Sequence, residues 1–505
     1  MSKLIFASLV LAIGAAACGP SDPAITGDCN DPENLKVDPN NCGFCGNVCG
    51  TNTSCTNGQC VPDACNPGDT RACYDGSSGT EGVGPCHGGT QTCQPQGYWG
   101  TCDGEALPAP EVCGNGVDEN CSGTADEDTD LDGDGYTTCG GDCCDSTECA
   151  SPKLVNPGAF EAAGNGVDDD CDGAVDNAVV GNCDQGIASN TTTAMDFARA
   201  MDLCQTATLS EKKWGVIEAK FTLADGTGTP DAQGHAVRDR WGTNLIPKAG
   251  SALAVLSTGT AADENDQNPA YAGSVSTGHG FLETSPFPSD WLQSNGGNLP
   301  NAPGCPDPSG ADANDPVMLT LKIRVPSNAK SFSVDSNFYS WEFPEYTCSP
   351  YNDFFVMLLD STWTSSPANP TDKNLAFYED AQMKRWPVGV NLAANNTGLF
   401  TQCVNGATGC EVLSGAVPGS ISTCTGTDQL AGTGFQTAAS GSCDNNALAG
   451  GATGWLTTRG NVVGGEVITL RLAIWDTSDS LLDSTVILDN FQWSVESSDP
   501  GTVVN

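Results

Sequence analysis

The chain has 505 residues, and its 63 Asp and Glu against 19 Lys and Arg give a formal net charge of −44. A surface this negative repels phosphate backbones and anionic headgroups, which excludes nucleic acid as a partner and leaves membrane contact only through a covalent lipid. With 27 Cys, 61 Gly and 30 Pro, the composition is that of an exported, disulfide-linked, loop-rich protein long enough for two to four domains.

Met-Ser-Lys is followed by an uncharged stretch, Leu4 to Ala17, and then Cys18. A basic start, an apolar run of this length and small residues before a cut site predict a signal peptide over residues 1–17. Ala15-Ala16-Ala17-Cys18 is similar to a bacterial lipobox, in which the cysteine carries the lipid; Leu is more usual where Ala15 stands, and ordinary cleavage leaving a plain Cys is the alternative. No later stretch approaches the ~20 apolar residues of a membrane span, so outer-membrane or cell-surface attachment would rest on Cys18. Setting Cys18 aside leaves 18 Cys over residues 29–171 and 8 over 183–443. Both counts are even, as full oxidation requires. Residues 18–28 read as a lipidated tether and 29–112 as an irregular Cys-rich stalk, held by disulfides for want of apolar bulk. Cys42-x-x-Cys45 would suit zinc in isolation, but no second C-x-x-C matches it.

Residues 113–182 read as an acidic metal-binding module. Asn115–Asp126 (NGVDENCSGTAD) recurs as Asn165–Asp176 (NGVDDDCDGAVD), and between them runs an acidic ladder. Oxygen ligands at alternate positions followed by Gly suit a hard cation, because the chain must turn sharply for i, i+2 and i+4 to converge. The first copy offers Asp118, Asn120, Ser122 and Asp126, and the second Asp168, Asp170, Asp172 and Asp176. The ladder starts in register at Asp128 or Asp130; the latter places Gly135 correctly and gives Asp130, Asp132 and Asp134, with Asp142 added downstream. No Glu stands at the twelfth position, where Thr129 and Val179 fall, so affinity is expected in the roughly 10⁻⁴–10⁻³ M range of extracellular modules. A solvated acidic linker is the plain alternative. The repeated register, the matching Gly, and Cys121 and Cys171 inside the loops weigh against it. The run DTDLDGDGYTTCGGDCCDS…LVNPGAFEAAGNGVDDDCDG resembles the MopE-type metal-binding motif of secreted bacterial proteins over residues 113–176. That family's name implies copper. Copper prefers imidazole, thiolate or thioether, and His87 is the only His before residue 200, so Ca²⁺ is the cation expected.

From Cys183 the texture becomes strand-like, with a β-sandwich, jelly-roll-like, expected over 183–496 and a tail over 497–505. One helix is predicted, capped by Asn190, with Ala194, Phe197, Ala198 and Met201 on one face and an end near Cys204. Leu319, Leu321, Ile323 and Val325 alternate with polar residues, and residues 467–475 are apolar on both faces around Arg471. Further strands are predicted at 251–257, 331–338, 353–360 and 484–495. Proximity along the chain predicts disulfides Cys305–Cys348, Cys403–Cys410 and Cys424–Cys443, since short loops close cheaply, and Cys183–Cys204. Ala200-Met201-Asp202-Leu203-Cys204, Trp214-Gly215-Val216, Gly250-Ser251-Ala252-Leu253, Glu342-Phe343-Pro344-Glu345-Tyr346, Tyr351-Asn352-Asp353-Phe354 and Ala473-Ile474-Trp475-Asp476…Asp483-Ser484…Asp489-Asn490 together resemble the choice-of-anchor L domain of bacterial surface proteins. The resemblance implies an extracellular module without a defined activity and sets Cys183 and Cys204 at the domain entrance.

Glu342, Glu345, Asn352 and Asp353 mark one strand–loop junction, and Asp476, Asp479 and Asp483 another. Burying carboxylates without compensation is costly, so these are either exposed turn residues or ligands of a second cation. His87, His235 and His279 lie in Gly-rich settings with no H-E-x-x-H, no G-x-S-x-G and no phosphate loop. No catalytic residue is assigned. The expected function is recognition or adhesion toward a glycan or a surface protein. A carbohydrate-active hydrolase using two distant carboxylates and a purely structural envelope component are the alternatives. The sequons at Asn52, Asn190 and Asn395 add nothing.

Overall fold

The computed structural model describes residues 32–505, apart from 51, 52, 63, 127, 128, 147, 148, 150, 178–182, 273–280, 439–442 and 444–447. Cys18, Asn52, Val179 and His279 lie outside the described residues. The chain divides into two compact units, up to Thr129 and from Asp130 onward. Every cysteine among the described residues is disulfide-bonded.

The first unit is held by crosslinks. Cys42–Cys55 and Cys49–Cys60 clamp a hairpin of Thr53–Thr56 and Gln59–Pro62. Cys65–Cys93 and Cys73–Cys102 staple a three-stranded sheet of Thr70–Cys73, Gly89–Cys93 and Trp99–Asp103. Cys42, Cys49 and Cys55 stand close enough to suggest a thiolate site, but their sulfurs are spent in disulfides. Zinc is thereby removed.

The second unit is a sandwich of two antiparallel sheets. Its strands, in chain order, are β1 (Gly215–Thr222), β2 (His235–Arg238), β3 (Leu253–Ser257), β4 (Ala313–Arg324), β5 (Ser331–Ser340), β6 (Phe354–Asp360), β7 (Phe377–Glu379), β8 (Arg385–Gly389), β9 (Leu456–Asn461), β10 (Val467–Thr477), β11 (Ser484–Ser494) and β12 (Gly501–Val504). One sheet runs β7-β8-β6-β10-β4-β1 and the other β12-β9-β5-β11-β3-β2. The long strands from β3 to β6 and from β9 to β11 alternate between sheets, so the core forms by crossing rather than by local hairpins. Residues 497–505 are therefore not a free tail: β12 pairs with β9 along Leu456↔Val504 to Arg459↔Gly501.

Alternation decides which face each residue fills. Ile468, Leu470, Leu472 and Ile474 of β10 face Val334, Phe338, Val486 and Leu488 of the second sheet in the central core. Ala473 and Trp475 point outward, where Phe287 and Trp291 cover them. Trp241, Tyr339, Trp341 and Phe435 cover the outer face of the other sheet. Both sheets are thus buried on both sides, which accounts for the apolar run around Arg471. That arginine lies on the covered outer face and donates to Asp290 at 2.6 and 3.0 Å.

The helix α1 spans Ala194–Ala200 and buries Phe197 and Ala198 completely. Asn190 does not cap it. Thr193 occupies the N-cap, and the Thr191 hydroxyl donates to Asp196 in the first turn.

Two disulfides also differ from expectation. Cys183–Cys204 and Cys305–Cys348 are present, but Cys403 bonds Cys424 and Cys410 bonds Cys443, not Cys403–Cys410 and Cys424–Cys443. Ala407 pairs with Ile421 and Thr408 with Ser420, so a hairpin register carries Cys403 across to Cys424. The shorter loop would have saved only about 1 kcal/mol of closure entropy.

Candidate metal loops and a buried carboxylate cluster

Three loops repeat one hydrogen-bond pattern. The leading aspartate accepts the amides four and five residues on: Asp118 from Ser122 and Gly123 (2.9 Å each), Asp130 from Asp134 (3.2 Å) and Gly135 (2.8 Å), and Asp168 from Asp172 (3.1 Å) and Gly173 (2.9 Å). The third residue (Asn120, Asp132 or Asp170) accepts the amide two residues on at 2.9–3.2 Å. These bonds fold alternate side chains to one side of the loop. Gly123, Gly135 and Gly173, at φ 101°, 97° and 93°, take the left-handed turn that closes it. The ladder register thus begins at Asp130.

Among the described residues, three groups of carboxylates offer oxygens lying within 4.8 Å of one another: Asp130, Asp132 and Asp145; Asp132, Asp134 and Asp142; and Glu161, Asp168 and Asp170. That spacing suits a cation bound at about 2.4 Å from each oxygen. The first two groups share Asp132. Asp132 Oδ2, Asp142 Oδ2 and Glu161 Oε2 are buried and have no hydrogen-bond partner. Burial pushes Asp142 up to about 6 and raises Asp132 and Glu161, each opposed by an amide and reinforced by neighbouring carboxylates. The first loop places one carboxylate, Asp118, beside the neutral Asn120 and Ser122, a less charged donor set.

Asp126 and Asp176 stand in none of these close carboxylate groups. Asp126 accepts the amides of Asn115 (3.1 Å) and Gly116 (2.8 Å), and Asp176 those of Gly164 (2.8 Å) and Asn165 (3.0 Å), so both brace the entering turn. Asp172 is held by the Asn177 amide and the amide of Ala174. Asp145 and Glu161 are ligand candidates that reading the loops alone missed. Glu161 has a legible signal: Glu111 stands at the same place in the first copy, and the two accept the amides of Asn120 (2.8 Å) and Asp170 (3.1 Å) respectively. Asp145 has none, because the fold of 138–145 brings it back to accept from Leu131 and Thr138.

The donor chemistry does not fit copper. Every loop donor is oxygen, Cys121 and Cys171 are bonded to Cys86 and Cys143, and His235 stacks on Phe221 at 4.1 Å. Its burial lowers it to about 4, leaving it neutral.

The second acidic region is not a set of exposed turns. Glu342, Asp353 and Asp476 are at most 2 % exposed and Asp483 is 5 % exposed, and Asp315 joins them at 2 %. Asp353 accepts from the Thr477 amide (3.1 Å) and the Ser484 hydroxyl (2.7 Å). Burial raises all five, Asp315 to about 6 and Asp483 to about 7, and mutual repulsion adds to it. Asp479 sits half-buried beside Glu342 and Asp353. Glu345 and Asn352 fall elsewhere: Glu345 neighbours Glu411, and Asn352 Oδ1 accepts the Asn391 amide.

The sequence profile described as "Choice-of-anchor L domain" matches residues 255–492, and the MopE-type profile described as "Putative metal-binding motif" matches 108–127 and 151–177. Both belong with an extracellular or cell-surface protein. The Asp130–Asp145 ladder falls between the two segments of the second match. No curated protein and no solved structure matches the chain. Among the described residues, no helix is long and apolar enough to cross a membrane.

Proposed function

We propose that this cell-surface chain, combining a choice-of-anchor L domain with MopE-type motif segments, is a lipid-anchored lipoprotein. Its acidic loops bind Ca²⁺, and its sandwich serves recognition or adhesion. The observation that carries the metal half is the set of buried, unpartnered oxygens on Asp132, Asp142 and Glu161, each inside a carboxylate triad. Oxygen-only donors favour a hard cation over copper. Since Asp132 belongs to two triads, the ladder holds two ions bridged by that residue, with a third at Glu161, Asp168 and Asp170.

Titration calorimetry of the whole protein tests this. Ca²⁺ should bind in the millimolar range, Mg²⁺ poorly because it demands a tighter octahedral shell, and Cu²⁺ not at these loops. Absence of Ca²⁺ binding would reduce the ladder to a solvated spacer. Mass spectrometry of native material should find acyl groups on Cys18. For the sandwich, glycan arrays and polysaccharide substrates separate the roles: retention without turnover fits recognition, and turnover would replace this reading by a hydrolase.

A further inference from the structure

The five buried carboxyls come from separate elements at one end of the sandwich. Asp315 stands where the register of β4 shifts against β10, between Asn314 and Val317, at φ 45°. Asp353 immediately precedes β6, Asp476 lies in β10, and Asp483 ends the β10–β11 connection, in which Ser478 and Leu482 also take positive φ. Glu342 follows β5. Positive φ on non-glycine residues is held only where the surroundings enforce it, and here it accompanies inward-facing acids. A side chain on Gly259 would collide with the carboxylate of Asp483.

Hydrogen bonds offset only part of this charge: Asp353 accepts from the Thr477 amide and the Ser484 hydroxyl, and its carboxyl lies against that of Asp476. Both oxygens of Asp476, Oδ2 of Asp315 and Oε2 of Glu342 are buried without a partner. None of the ion pairs among the described residues reaches the five groups. Leaving even one buried carboxylate unpaired costs several kcal/mol, whereas apolar residues would fill the same space without penalty. Three carboxylates do not meet at one point here as they do in the ladder. The shell therefore draws on neutral oxygens, and the hydroxyls of Thr258 and Ser484 stand beside Asp476 and Asp353.

The geometry points to a divalent-cation site inside the sandwich, of the Ca²⁺ class. Asp476 and Asp353 are its anionic ligands, Thr258 and Ser484 its neutral ones, and Asp315, Glu342 and Asp483 supply the surrounding negative charge. It is separate from the acidic loops and does not depend on their binding anything.

Terbium luminescence in the whole protein separates the two. Trp475 and Trp341 adjoin Asp476 and Glu342 in sequence, so Tb³⁺ bound here emits on selective Trp excitation, and Ca²⁺ displaces it. The emission persists when the loops are disabled by D118N/D130N/D132N/D168N/D170N and is lost in D476N. Emission abolished by the loop variant and untouched by D476N overturns the proposal without harming the loop reading. Should D476N fail to fold, the loop variant alone decides: Ca²⁺ must still raise its melting temperature, and no rise overturns the site. A D476N that melts higher than the parent with unchanged metal content also overturns it, because the cluster is then neutralised by shared protons.

Discussion

Asn156 donates its side-chain amide to Asp134 Oδ2 at 2.7 Å, tying the acidic ladder to a residue seated on the sandwich. The Ser327 hydroxyl donates to Asn156 Oδ1 at 2.6 Å, the Ser327 amide donates to the Gly158 carbonyl, and Asn328 holds both backbone groups of Phe160. The segment from Asp130 to Asn177 therefore belongs to the sandwich unit, so metal bound in the ladder would stabilise a docked structure. Each bound ion would add about 2.7 kcal/mol at a hundredfold excess over Kd. EDTA should make residues 130–177 of the whole protein sensitive to protease, millimolar Ca²⁺ should restore resistance, and Asn156→Ala should weaken that restoration. Protease sensitivity indifferent to Ca²⁺ would contradict the coupling.

Asp290 accepts from both terminal nitrogens of Arg471 and from Lys373 at 2.8 Å, and those cations hold its carboxyl far below the ordinary range despite partial burial. Asp290→Ala strands a mostly buried arginine and should cost about 1–2 kcal/mol, allowing for the solvent exposure of the aspartate. A depressed carboxyl contributes its stability above the unfolded value and loses it as pH falls. The difference in denaturant midpoint between variant and parent should accordingly shrink in acid.

Asp202 shows the opposite sign. Burial, then repulsion from Asp184, pushes it up to about 6, well above the ordinary carboxylate range, so between the two values the folded state keeps its proton while the unfolded chain has lost it. Its contribution to stability is fully present below the unfolded pKa and falls as pH rises to about 6. Oδ2 of Asp202 lacks a partner, and Asn at this place supplies a neutral isostere. Asp202→Asn should gain about 2 kcal/mol over the parent above pH ~6 and nothing below pH ~4. A pH-independent difference in urea unfolding would refute the assignment.

Gly259 has no room for a side chain, because Asp483 fills that space. Gly259→Ala should lower stability by about 1–3 kcal/mol through overpacking. Replacing Asp483 with Gly in the same chain should return part of the loss in thermal melting, as expected of two residues in contact.

Peptide mapping without reductant should recover Cys403–Cys424 and Cys410–Cys443. Recovery of a Cys403–Cys410 peptide would show that loop length, not the 407–421 hairpin, sets the pairing.

Local pattern alone determined a good deal of this protein. Alternation in 319–325 and 467–475 marked the central strands because a half-buried or fully buried strand writes its period into the chain. The D-x-D/N-x-D/S-G spacing marked the loops because each aspartate caps amides only two to five residues away. What the sequence left open is what distant segments supply. Asp145 and Glu161 complete the triads by returning over roughly ten residues, and Asp126 and Asp176 are drawn off by turns on their other side. Asp315 joins the buried cluster through a bulge some forty residues before Asp353. Whether Glu342, Asp353, Asp476 and Asp483 were exposed turns or buried acids depended on the covering layers around Trp341 and Trp475. Burial is a property of what packs on top, and only the tertiary structure decides it.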